Sequence, residues 1–201
     1  MNSFLKSILF VTSLSLISAC AKLEVSEGKV SEELRLTLTI EEDYDTKTCL
    51  GSKDGNIYHT LWQSGDRISL NGVSSAALES EQAGQRKASF VFRGGLAAPF
   101  NILYPATDSP DMVNFPAEQN YHEDSFDPAA APMWASSSVY ADMSLRHLSS
   151  LVRLSLKDAE GAVLSGVTLC TMGGEQISGE FRLGTDDEGR FTGEIEPAGG
   201  S

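Results

Sequence analysis

Leu34, Leu36, Leu38 and Ile40 alternate with Arg35, Thr37 and Thr39. A period of two, built from β-forming residues, buries one face of a strand and wets the other, and a helix cannot satisfy it. The pattern returns downstream. Arg67 to Leu70 reads as a short strand fed by a Gly65-Asp66 turn and ended by Asn71-Gly72. Ala88 to Arg93 sets Phe90 and Phe92 on one face, and Phe100 to Tyr104 is an apolar run stopped by Pro105. Ser150 to Lys157 places Val152, Leu154 and Leu156 on one face, and Val163 to Met172 is a further candidate. Ile177 to Leu183 and Arg190 to Ile195 flank Gly184-Thr185-Asp186-Asp187-Glu188-Gly189, a hairpin signal. Glu41 to Thr48 is acidic and lacks an apolar pattern, so it reads as an exposed loop; Thr107 to Pro132 reads as mostly irregular. No stretch makes a convincing three-turn helix. Many short strands with turns between them predict an all-β fold of the sandwich kind.

The first residues carry a different signal. Met1 to Lys6 is short and basic, Ile8 to Ile17 is mainly apolar, and Ser18-Ala19-Cys20 follows. That is the layout of a secretory signal, and the run is shorter than the roughly 20 residues a membrane helix needs. Ile17-Ser18-Ala19-Cys20 is similar to the lipobox of bacterial lipoproteins. The resemblance implies cleavage between Ala19 and Cys20, with acyl chains on Cys20 anchoring the chain to a membrane; several chains hold where one does not. The plainer alternative is an ordinary cleaved signal with a chance cysteine. Export would permit a disulfide between Cys49 and Cys170, although two free, buried thiols are favoured.

The formal charge of −13, from 15 basic and 28 acidic residues, argues against nucleic acid as a partner, because phosphate binding needs a basic face. Chemistry is sparse. His59, His122 and His147 are isolated from one another, so no metal-ligand spacing exists, and no cofactor is implied. There is no G-x-S-x-G elbow and no phosphate-binding glycine loop. The acidic clusters Glu41-Glu42-Asp43, Glu123-Asp124 and Asp186-Asp187-Glu188 read as solvated loops. The expectation is a protein that is not an enzyme.

Trp62-Gln63-Ser64-Gly65-Asp66-Arg67-Ile68 is similar to a W-x-x-G-D-x-I stretch, and Asp45-Thr46-Lys47-Thr48 to the T-[RK]-T segment that precedes it. Ala88-Ser89-Phe90 with Leu103-Tyr104-Pro105 resembles an A-x-F and Y-P pair, and Leu145-Arg146-His147-Leu148 resembles a His-containing lead into a second domain. In this order behind a lipobox, the segments resemble the fimbrillin family, lipoprotein precursors of pili in Gram-negative anaerobes. Its motif residues here are Trp62, Gly65, Asp66, Ile68, Tyr104, Pro105 and His147.

The resemblance implies transthyretin-like β-sandwich domains. It divides the chain into a signal peptide (1–19), a tether (20–33), an N-terminal β-sandwich (34–142) and an incomplete C-terminal β domain (143–201). It implies an outer-membrane, surface-exposed protein held by lipid on Cys20, released into a fimbrium after proteolysis. It implies a protease specific for Arg or Lys that removes the first strand, here Leu34 to Ile40, with Lys47 as the candidate cut; the alternative is that Lys47 is simply a surface lysine. The groove takes a strand from another pilus subunit. The glycine-rich end offers no donor strand, so the chain is expected to be either a fragment or a short member that caps or anchors a filament. The alternative is an outer-membrane lipoprotein that binds glycans or another ligand through Trp62, Trp134 or loop aromatics.

Overall fold

A computed structural model describes residues 33–41, 60–122, 125–152, 154 and 165–199. The fold is all-β. The alternating run forms β1 (Glu33–Ile40), one residue longer than the pattern predicts. It is followed by β2 (Ser69–Leu70), β3 (Val73–Ser74), β4 (Lys87–Arg93), β5 (Phe100–Tyr104), β6 (Met112–Phe115) and β7 (Met133–Ser137). β8 (Met143–His147), β9 (Gly179–Thr185) and β10 (Phe191–Pro197) complete the set.

Seven strands form one sheet in the order β3-β2-β5-β7-β8-β1-β4, and three form a second in the order β10-β9-β6. The larger sheet curls round its own apolar face. Beyond β3, at one end of the order, Ala76 N donates to Val91 O of β4, at the other end, at 2.8 Å. Leu36, Leu38 and Ile40 from β1 meet Phe90 and Phe92 from β4 inside this curl, with Ile102 from β5, Met133 from β7 and Leu145 from β8. Burial of side chains of this size stabilises the fold by roughly 1.5–3 kcal/mol each, measured from an extended chain.

The smaller sheet covers the other face of β5 and β7. Leu103 of β5 joins Val113, Phe181, Leu183 and Phe191 in a second cluster, against which Trp134 of β7 packs. β5 and β7 are therefore apolar on both faces. That is why Met133–Ser137 shows no alternation and escapes a period-two reading. β6, inside the segment read as irregular, is short and lies between Pro110 and Pro116.

β10 bends over Trp134. The pairing of β9 with β10 shifts register between Phe191 and Ile195, and Gly193 lies there at φ +83°. A Cβ at this position would come within 2.4 Å of Trp134 Cζ2, so the bulge needs glycine. Asn101 Nδ2 donates to Gly189 O at 2.8 Å, and Phe191 N donates to Ser136 Oγ at 3.2 Å, pinning the β9–β10 hairpin to the larger sheet.

The predicted boundary at 142/143 falls between β7 and β8, which are neighbours in one sheet. β8 also runs parallel to β1. Three further expectations differ from what is seen. Residues 165–172 form no strand, and Val167 and Leu169 are exposed. In the predicted strand Ser150 to Lys157, Val152 and Leu154 are exposed at 70% and 47%, outside any strand; residues 153 and 155–157 lie outside the described residues. A period of two needs a partner strand and a core to cover its apolar face, and neither meets the described part of these segments. Cys170, expected to be buried, is free and exposed.

Candidate functional site: the position of β1

β1 is the first described strand of the chain and lies inside its sheet. On one side it pairs antiparallel with β4, from Glu33 opposite Arg93 to Thr39 opposite Lys87. On the other it pairs parallel with β8, Leu38 to Ile40 opposite Met143 to Leu145. Its inward residues Leu36, Leu38 and Ile40 are almost wholly buried. At its C-terminal end Ile40 N donates to Arg86 O at 3.0 Å and Glu41 N to Leu145 O at 2.9 Å.

The outward face is held by side chains. Thr37 Oγ1 and Ser89 Oγ lie 3.1 Å apart. Arg93 Nη2 is 3.5 Å from Glu33 Oε1, and Arg146 Nε is 2.7 Å from Glu41 Oε2. The hydroxyl of Tyr140 donates to Arg35 O. Lys87 Nζ meets Asp142 Oδ2 at 3.1 Å, linking the neighbours of β1 across its outer face. Removing β1 would strip the backbone partners from β4 and β8 and open one wall of the larger core. That pairs unmet hydrogen-bonding groups with apolar surface, the two things an incoming strand supplies.

Of the motif residues that carried the resemblance, all but His147 converge elsewhere in the same core, in a structural clasp. Gly65, at φ +92°, turns the chain so that Asp66 Oδ2 accepts from Gln63 N at 2.7 Å. Asp66 Oδ1 accepts from the Tyr104 hydroxyl at 3.1 Å, tying the turn to the end of β5. Trp62 packs edge-on against Phe90 and Tyr104, with centroids 4.9 and 5.5 Å away. Its indole N–H is buried with no acceptor among the described residues. Ile68 is fully buried beside it, and Pro105 follows Tyr104 through a cis peptide bond. Burial pushes the Asp66 carboxyl above its usual value against the pull of the Gln63 and Tyr104 hydrogen bonds. Burial first, then the Asp66 charge and hydrogen bond, push the Tyr104 phenol far up, so it stays a donor.

His147 ends β8 opposite Met133, apart from this clasp. Cys20, Ala19 and Lys47 lie outside the described residues, as does Cys49. Trp62 is buried among its neighbours, and Trp134 is half-buried against the second cluster. A cleft of about 400 Å³ lies between Ala106, Thr107, Val113 and Pro132, and among the described residues Asp108 is the one ionisable group in its lining. Among the described residues, no three His, Cys, Asp or Glu side chains come together as metal ligands. The Arg93 and Arg146 clamps on β1 were not singled out in the sequence; they become visible only through strand pairing. Set against known protein families, curated proteins and solved structures, the chain matches none.

Proposed function

We propose that this protein is a fimbrillin-like, lipid-anchored structural protein of a bacterial surface, a pilus subunit, tip or anchor, which assembles by losing its first strand and accepting one from another subunit. The role is structural rather than catalytic. Its location is the outer membrane, with acyl chains on Cys20 as the tether. The observation that carries the reading is the position of β1. It lies between β4 and β8 with three residues deep in the main core, and the sequence leaves it for a loop whose basic residue within Glu41 to Thr48 is Lys47. A strand at the start of the fold can leave without threading the rest of the chain, and what it leaves behind is an acceptor.

The test is proteolysis of the exported precursor with a lysine-directed protease. Mass spectrometry should show a new N-terminus after Lys47, and the cut protein should take up an added donor strand or lengthen into oligomers. Cut protein that stays monomeric with and without a donor peptide refutes the exchange. The mass of the cell-derived precursor separately reports acylation at Cys20.

A further inference from the structure

We propose that the slot beneath β1 selects its incoming strand by charge as well as by apolar pattern: it fits a strand of another molecule with four alternating apolar residues, a hydroxyl at the centre of the outward face and a carboxylate at each end. The inference rests on the exchange reading above. Four observations define the code. Leu34, Leu36, Leu38 and Ile40 fill the inward positions, the last three almost wholly buried. Thr37, midway between Glu33 and Glu41, meets Ser89 Oγ at 3.1 Å. Arg93, on β4, faces the carboxylate at the N-terminal end of β1. Arg146, on β8, faces the carboxylate just past its C-terminal end.

The two clamps therefore sit on opposite neighbours and at opposite ends. When β1 departs, both guanidinium groups lose these carboxylates and flank an open apolar groove on a protein of net charge −13. Opposite charge across a forming interface steers encounter and fixes register more than it adds raw affinity. A one-residue slip would carry every apolar side chain to the wrong face. A two-residue slip keeps the faces but moves a carboxylate off its arginine, so the clamps discriminate where the apolar pattern does not.

The chain contains its own control. Val152, Leu154 and Leu156 repeat the apolar spacing of β1. Aligning Val152 with Leu34 brings Asp158 to the buried position of Ile40; aligning it with Leu36 brings Lys157 to the position of Glu41, facing Arg146. Neither register satisfies the code.

The test uses the full chain with a specific protease site placed in residues 42–59, folded first and then cut, so that β1 is held without a covalent link. Fluorescent peptides are added and displacement of β1 is measured at low and high salt. The peptide of residues 33–41 should enter. The same peptide carrying Glu33→Lys and Glu41→Lys should bind about tenfold more weakly at low salt, and the gap should narrow at high salt. Arg93→Glu with Arg146→Glu in the slot should restore the reversed peptide; both side chains are largely exposed, at 80% and 61%, so the fold tolerates the change. The peptide of residues 150–158 should bind at least about tenfold more weakly than that of 33–41. Equal binding of the native and charge-reversed peptides at low salt, or no restoration by the reversed slot, or full-strength binding of 150–158, overturns the code while leaving exchange intact. If the 33–41 peptide itself does not enter, exchange fails and the code falls with it.

Discussion

The two apolar clusters share β5 and β7 yet are built on different terms. The larger one is ringed by a single curled sheet of paired strands, with Trp62 and Leu78 added from the connecting loops. The smaller one is a lid of three strands laid on the outside, flanked by the half-buried Phe115, Trp134, Leu148 and Ile195 and fastened by polar pins. In the first, β1 is a wall: its loss opens the interior. In the second, β10 is an edge strand carrying Glu194, Glu196 and Pro197, residues that discourage further pairing. A molecule arranged this way has one strand whose loss would open a core and another whose outer edge discourages addition.

The difference can be broken first at the wall. Leu38→Ala should cost about 4 kcal/mol, because the encircled site cannot collapse, whereas Leu183→Ala in the lid should cost about 2 kcal/mol, because its half-buried neighbours can relax. Urea denaturation measures both. Equal costs would erase the contrast between the clusters. Hydrogen exchange should show Leu183→Ala loosening β6, β9 and β10 while β1 and β4 stay protected.

Gly193→Ala should cost about 1–3 kcal/mol, from the left-handed backbone and the clash with Trp134, and should alter the near-ultraviolet circular dichroism of that indole. An unchanged spectrum would remove Trp134 from beneath the bulge.

Tyr104→Phe should cost about 1–2 kcal/mol by removing the hydroxyl from the part-buried Asp66 carboxylate. It also sharpens a pH difference. The folded phenol has its pKa raised above the unfolded value of about 10, so its contribution is complete below that pH and is lost as pH rises beyond it. Wild type should therefore lose stability above about pH 10, and Tyr104→Phe should lose less.

The smallest effect belongs to the lid's turn. The Arg190 backbone and guanidinium hydrogen bonds hold the Asp186 carboxyl below its usual value. A depressed pKa gives stability that is present above the unfolded value of about 4 and lost as pH falls through the folded one. Amide exchange at Glu188 and Arg190 should quicken on acidification below about pH 4, with β1 amides unaffected. Matching acceleration in β1 would show that the two regions do not open separately.

Much of the strand inventory was legible because half-buried strands announce themselves: β1, β4, β5, β9 and β10 fall within two or three residues of their predicted spans. β7 was not, since Met133 and Ala135 enter one cluster while Trp134 enters the other, which erases the alternation. The opposite failure occurs at Val167 and Leu169, which carry the pattern of a strand and lie exposed outside one. Trp62, Gly65, Asp66 and Tyr104 were legible as a group, but their role as a clasp was not, because the Asp66–Tyr104 bond joins residues 38 positions apart.

The sequence alone determined that β1 is a strand with a leucine-rich face, and that its histidines and cysteines show no metal-ligand spacing. Tertiary structure decided that β1 lies between β4 and β8, that Arg93 and Arg146 reach its two ends, and that one curled sheet serves two cores. The reason is physical. A period of two states which face of a strand is buried, but the choice of neighbour is made by backbone pairing over long loops, where local pattern carries no information about partner or direction.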